Sequence, residues 1–385
     1  MTARTFAAFS FTFLLSMFFR TFFAVAGPAL AQELSLSPVE FGTLSSAFFA
    51  CFAAMQVPVG ILFDRFGCRL PMAALVSCGA IGAVMIATSS SFAQAVVGQG
   101  LLGIGCSPAL MGIYFFYGRV LSWEKAARVT TMIAAIGSLG AFISATPFEL
   151  LVSEIGWRYG VGVSATCMIC AACLLFVSVP RNGYENSASS EAEAPSSTNA
   201  RFLLFLAPIF LSASLGTVFR SAWASPYLID VVQASSREAA NIFTAVSVAG
   251  TLTGFALPFA LKRLSPTSIV GVLYGLAIAL TAALALDPDR DIFFAGAVFS
   301  ILYAVGNCHT IALAEAQAHI SSRRRGTILG ILNGLGFVGV ASVSPVFGLI
   351  AKALDPVPAF AAMFSGTAAA LLISFVVYLR RNQTT

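Results

Sequence analysis

Twelve apolar stretches of membrane length run along this chain, and no other feature limits its possible folds so sharply. They fall at about 5–31, 41–63, 70–89, 92–118, 129–152, 159–179, 202–231, 239–261, 268–286, 291–317, 326–351 and 358–379. A helix needs roughly 20 apolar residues to cross about 30 Å of hydrocarbon. Inside lipid every backbone N–H and C=O must find a partner within the protein, which leaves helices or a closed barrel. A barrel needs short alternating strands, whereas these runs are continuous, so the expectation is an all-α membrane protein with twelve transmembrane helices. Composition agrees, with 58% hydrophobic and 10% charged residues against about 25% charged in soluble domains. The 32 glycines suit helices in close contact. The first stretch lacks a basic leader region and a small-residue cleavage site, and is expected to be a retained helix.

The few cations are unevenly placed. Fifteen of the 21 Lys and Arg flank one set of span ends, four (Arg158, Arg237, Arg290, Lys352) flank the other, and two lie inside spans. Cytoplasmic loops carry the excess of Lys and Arg, so both termini are expected in the cytoplasm, as an even number of spans requires. The net charge of +5 then reflects topology, and no nucleic-acid partner is expected. The eight cysteines do not form a disulfide framework. Cys167, Cys170 and Cys173 have metal-ligand spacing without a nearby His or carboxylate in their helix, so packing is expected and no metal. No cofactor is expected either.

Residues 180–201 (PRNGYENSASSEAEAPSSTNAR) are rich in Ser, Ala and Glu and poor in apolar bulk, the composition of a linker. They divide the chain into a six-span bundle over 1–179 and another over 202–385. The halves echo each other. Arg20 and Arg220, like Pro58 and Pro258, stand 200 residues apart, and Arg128 followed by Gly137 recurs 197 residues on as Arg325 followed by Gly334. Such a repeated offset points to duplication.

Arg20 and Arg220 are the two cations inside spans. A guanidinium near the bilayer centre costs at least a few kcal/mol unless it faces a water- or substrate-filled cavity, and paired positions in two repeats suggest a shared central site. The guanidinium fork suits carboxylate or phosphate and keeps its charge when desolvated. Without an anion two facing guanidiniums repel, and a bound anion would permit closure, which links binding to alternating access. Pairing with structural carboxylates or helix carbonyls is the competing account.

The loop after the second span reads Gly60-Ile61-Leu62-Phe63-Asp64-Arg65-Phe66-Gly67-Cys68-Arg69. It resembles the G-x-L-x-D-R-x-G-x-R signature of the major facilitator superfamily, a resemblance that extends to the twelve spans and the six-plus-six division. Gly60 would allow tight helix contact and Gly67 a sharp turn. Asp64 would accept charge-assisted hydrogen bonds at a neighbouring helix N-terminus. The resemblance implies that this loop, with Arg65 and Arg69, supports a cytoplasmic gate between the halves. Its second-half counterpart, Leu261-Lys262-Arg263-Leu264-Ser265, lacks the acidic residue.

The segments around the two arginines, RTFFAVAGPAL from Arg20 and RSAWASPYL from Arg220, are similar to the first and seventh helices of the organophosphate:phosphate antiporter family, within a wider sugar-phosphate-permease-like group. That resemblance implies that Arg20 and Arg220 clamp a substrate phosphate, although the spacing from Arg220 to Ser225-Pro226 is shorter here than in the family.

Further candidates are polar groups within spans. Trp223 and Tyr227 follow Arg220 at i+3 and i+7 and, in a regular α-helix, share its face. Tyr303, Asn307 and Thr310 form a stripe in the tenth span. Gln56, Gln99, Tyr114 and Tyr117 are the first-half candidates, each also explicable as interhelical hydrogen bonding. His309 has a reference pKa suited to carrying protons, and Glu315 is expected to pair with Arg323–Arg325 or to serve proton coupling. The proton-relay pattern is incomplete, because Gln99 stands where many proton-coupled members of the superfamily carry arginine and the first span has no carboxylate.

These readings converge on a monomeric secondary transporter of a small organic anion in the inner membrane, working by alternating access with a proton or counter-anion. Substrate contacts are expected from Arg20, Arg220, Trp223, Tyr227, Tyr303, Asn307, Thr310, Gln56 and Tyr114. Two alternatives stand: a carrier of a neutral or zwitterionic nutrient such as a vitamin or peptide, and a transporter-like membrane sensor. No nucleophile–base or metal constellation marks an enzyme.

Overall fold

A computed structural model of the chain describes residues 3–180, 199–317, 319–320 and 325–381, with the backbone only at 123, 124, 127 and 325–327. The described residues are almost wholly helical. Among the described residues, nine helices are long and apolar enough to span a membrane: Arg69–Ala87, Phe92–Val120, Trp157–Ser178, Ala200–Val231, Ser236–Ala260, Pro266–Leu286, Ile292–Gln317, Ile328–Ala353 and Pro356–Leu379. Three bent pairs bring the number to twelve: Ala3–Phe19 with Phe23–Glu33 (48°), Pro38–Ala54 with Gln56–Phe66 (40°), and Arg128–Ile143 with Thr146–Ile155 (42°). In chain order these are spans 1 to 12, and the twelve-helix expectation is met. Most of the expected linker, with Arg323 and Arg324, lies outside the described residues.

The helices fall into two compact units, Met1–Ser35 with Ala47–Glu191 and Leu36–Ser46 with Ala192–Thr385. In the first, span 1 packs on spans 5 and 6, and span 3 packs on spans 4 and 6. The second repeats the scheme, with span 7 on spans 11 and 12 and span 9 on spans 10 and 12. Small residues set the closest crossings: a Cβ at Gly140 would collide with Leu14 O in span 1, and one at Gly339 with Ser214 Oγ in span 7. Lipid gives apolar helices little reason to associate, so such backbone approach supplies the packing.

Local structure repeats as well. Span 2 opens on Ser37, whose hydroxyl and N–H both donate to Glu40 while it accepts from the Glu40 N–H. Span 8 opens on the same reciprocal cap between Ser235 and Glu238, 198 residues later. Each cap occupies a helix start where the first N–H groups lack intrahelical partners. Two residues before each cap comes a non-glycine residue at positive φ, Ser35 (50°) and Gln233 (60°).

The bend in span 1 falls at Arg20–Phe22. Thr21 Oγ1 lies 2.7 Å from Ser144 Oγ, which belongs to the bend of span 5. Two kinked helices are thereby joined at their kinks, and the first kink carries an intramembrane arginine.

Candidate functional site

Span 7 is not a regular α-helix. After Ser214 it proceeds as Leu215–Val218, a wide turn over Phe219–Trp223, a short α-turn over Ala224–Pro226, and a second wide turn over Tyr227–Val231. In these wide turns the Ala224 N–H donates to Phe219 O and the Val232 N–H to Tyr227 O, five residues back. Pro226 lies between them and has no N–H to give. Such π-turns recur at functional positions in helices.

Arg220 sits in the first wide turn and is 1% exposed. Its Nε and Nη2 donate to Ser247 Oγ of span 8 at 3.3 and 3.2 Å. Its guanidinium carbon stands 5.1 Å from the Phe243 ring centroid, a cation–π distance. Phe243, Ser247, Gly250 and Gly254 are spaced i, i+4, i+7, i+11 along span 8, so they share one face. Farther along that face, Asn307 Nδ2 donates to Gly250 O at 3.0 Å. The Tyr303 ring lies where a Gly250 Cβ would come within 2.5 Å of its Cδ1. The second unit thus gathers Arg220, Tyr303 and Asn307 along a single face of span 8. Sequence reasoning missed Ser247 and its stripe, although small residues at helical spacing beside a charged neighbour were a visible signal.

The expectation that Trp223 and Tyr227 share the face of Arg220 is corrected here, because the five-residue hydrogen bond over Phe219–Trp223 shifts the helical phase. Trp223 turns to span 11, where its Nε1 donates to Ser344 Oγ at 2.9 Å and its ring meets Phe347 edge-on. Phe41 of span 2 packs on its other edge, 5.6 Å between centroids. Tyr227 donates to Pro288 O at 2.8 Å and is ringed by Phe299, Phe360 and Phe364. Both side chains are buried with their polar atoms engaged. The tenth-span stripe is interrupted at Gly306–Asn307, and Thr310, whose hydroxyl donates to Asn307 O, is exposed.

In the first unit, Arg20 at the span 1 bend lies 4.6 Å from the Phe52 ring centroid. Gln56, one turn on from Phe52, donates Nε2 to Phe52 O at 3.1 Å and begins the second segment of span 2. Arg20 thus contacts the ring of Phe52 and Gln56 its carbonyl. Tyr114 is 60% exposed in span 4, while Gln99 and Tyr117 are buried with Oε1 and the phenol oxygen unpartnered in this conformation.

The signature loop satisfies its charges in ways the sequence does not predict. Among the described residues Asp64 pairs with Arg119 at 3.3 Å. Arg69 donates Nε to Phe176 O at 2.7 Å and stacks on that ring at 4.6 Å, and the Arg65 guanidinium lies 5.3 Å from the Phe66 ring. Gly67 has φ 70° and ψ 173°, a region open essentially to glycine, so the sharp turn stands. Gly60 is different: a Cβ there would meet only the Met111 methyl at 3.6 Å, an ordinary contact.

While the expected Arg323 and Arg324 lie outside the described residues, Glu315 has partners at the end of span 12 that the sequence did not suggest. Arg381 occupies it at 2.8 Å, Tyr378 donates to it at 3.2 Å, and Arg381 also reaches Thr267 Oγ1 at 2.9 Å. His309 Nδ1 faces Gly306 O in its own helix. These two proton-coupling candidates lie in separate surroundings.

Residues 9–341 match the family model described as Major Facilitator Superfamily. Among curated relatives, a nitrate/nitrite transporter of Picosynechococcus is 30% identical over 146 residues, 38% of this chain and 27% of its own length. The tetracenomycin C resistance and export protein of Streptomyces glaucescens is 23% identical over 87% of this chain and 56% of its own. The chain thus spans under two thirds of the length of either. A hexuronate transporter of Bacillus subtilis is 22% identical over 74% of this chain and 70% of its own. Among solved structures, a bacterial homologue of the human lysosomal transporter Spinster superposes with a TM-score of 0.72 at 18% identity, covering 99% of this chain and 96% of that one.

Proposed function

Because the chain belongs to the Major Facilitator Superfamily, and is therefore a multi-pass membrane transporter, we propose that it moves a small organic anion, an organic phosphate or carboxylate, by alternating access across the inner membrane. One observation carries this reading: Arg220 holds a permanent charge at 1% exposure inside a membrane-length helix. A charge there costs at least a few kcal/mol. The cost is offset when an anion arrives as cargo, since a guanidinium fork binds carboxylate or phosphate through paired, charge-assisted hydrogen bonds.

In the first unit Arg20 is the corresponding intramembrane cation, set at the bend of span 1 and backed by the Phe52 ring. Tyr303 and Asn307 supply polar contacts beside Arg220, while Trp223 and Tyr227 shape the wall through packing. A bound anion favours whichever conformation lets it meet these groups, and that differential affinity shifts the population. Asp64, Arg65, Gly67 and Arg69 support the cytoplasmic gate. Named cargo varies among the relatives, from nitrate and hexuronate to tetracenomycin C, so the reading rests on the buried cation.

The test is thermal stabilisation of the purified protein by phosphates, carboxylates and neutral nutrients, run beside Arg220→Gln. Stabilisation by an anion class that vanishes in the variant is expected. Stabilisation of both proteins by a neutral compound would overturn the anion reading and favour a nutrient carrier.

A further inference from the structure

No motif marks Ser247, yet it is 2% exposed in the middle of span 8 and its hydroxyl bonds both to Phe243 O and to Arg220. A serine hydroxyl has one hydrogen to donate and two acceptor sites. The hydrogen goes to Phe243 O at 2.8 Å, one turn back in the same helix. Toward Arg220 the oxygen therefore acts as an acceptor, and both Nε and Nη2 converge on it. The ring of Phe243 meets the same guanidinium. One turn of span 8 thus holds an edge of the fork by hydrogen bonds and the group as a whole by a cation–π contact.

We propose that Ser247 is a positioning residue that fixes the Arg220 fork in the orientation that receives the anion, an inference that rests on the anion-transport reading above. Arginine is a long side chain with considerable rotamer freedom, and ordering it before the ligand arrives removes part of the entropic cost of binding. A hydroxyl achieves this without cancelling the charge, as a carboxylate in the same place would. Span 8 is a firm base for it, capped at Ser235 and Glu238 and tied to span 10 through Asn307 and Gly250.

The test uses the full-length protein as wild type, Ser247→Ala, Ser247→Thr, Ser247→Cys and Arg220→Gln. Nitrate, inorganic phosphate, glucuronate and succinate are screened by thermal shift, and the strongest stabiliser of the wild type is titrated by calorimetry. Ser247→Ala and Ser247→Cys are expected to raise its Kd roughly tenfold, as befits loss of hydrogen bonds to a charged group. Ser247→Thr, which keeps the hydroxyl, is expected to restore it; having two variants without the hydroxyl guards against one failing to fold. Wild-type Kd in Ser247→Ala or Ser247→Cys, whatever their melting temperatures, would overturn the inference and leave Ser247 as packing. So would a Thr variant as weak as the Ala variant. If no anion stabilises the wild type, or Arg220→Gln binds as well as it does, the anion reading itself falls and this inference with it.

Discussion

A guanidinium removed from water is explained by its surroundings, and the buried arginines of this protein have different ones. Arg381, 3% exposed, is answered by Glu315, Thr267 and the face of Tyr378. Its account is structural. Removing one partner of a buried ion pair leaves a charge uncompensated, at a cost of a few kcal/mol, so Glu315→Gln is expected to lower the melting temperature clearly. Glu315→Gln with Arg381→Gln should recover part of that loss, and a single variant as stable as wild type would show the pair to be dispensable. Around Arg220 the structure shows a hydroxyl, Ser247, and a ring, Phe243, both suited to orienting the guanidinium. Arg220→Lys keeps the charge and loses the fork, so anion binding is expected to weaken by tenfold or more, about 1.4 kcal/mol per factor of ten. Calorimetry with the anion that best stabilises the wild type reads this, and an unchanged Kd would mean that charge suffices. Arg20 and Arg220 were legible from their positions in apolar runs. Ser247 was missed, because the small-residue stripe it belongs to gains meaning only once Arg220 is known to pack against it. The Arg381 partner of Glu315 was not legible for a related reason: it is distant in sequence.

Among the elements, span positions were readable from hydropathy because the bilayer imposes a minimum length. Their shapes were harder to read. The bends at Arg20–Phe22 and Ser144–Ala145 involve Thr and Ser hydroxyls bonded to the preceding turn and to each other, a tertiary arrangement. The wide turn over Phe219–Trp223 moved Trp223 and Tyr227 away from Arg220, where a regular period placed them together. The signature loop was readable at Gly67, whose positive φ excludes other residues, but not at Asp64, whose Arg119 partner lies 55 residues on. Gly67→Ala is expected to cost about 1–3 kcal/mol through backbone strain, seen as a lower melting temperature. Gly60→Ala, with room for its methyl, should be nearly neutral. Equal effects at both positions would contradict this distinction.

For the whole molecule, family membership fixes a transporter and the charge distribution predicts its orientation. Both termini should face the cytoplasm. A fluorescent reporter that matures only in the cytoplasm should therefore light up at either terminus, and a periplasm-dependent phosphatase should be active when inserted at Gln233; the reverse pattern would invert the topology. The repeated caps at Ser37 and Ser235, like the 200-residue offset of Arg20 and Arg220, fit a duplicated bundle. The central claim is that Arg220 binds a transported anion, and counterflow in proteoliposomes tests it most directly. Vesicles loaded with unlabelled glucuronate, inorganic phosphate or succinate are diluted into the labelled form of the same anion, with wild type and Arg220→Gln compared side by side. The account predicts transient accumulation of at least one label by the wild type and none by the variant. Equal accumulation by both, or accumulation of a labelled neutral nutrient instead, would contradict it.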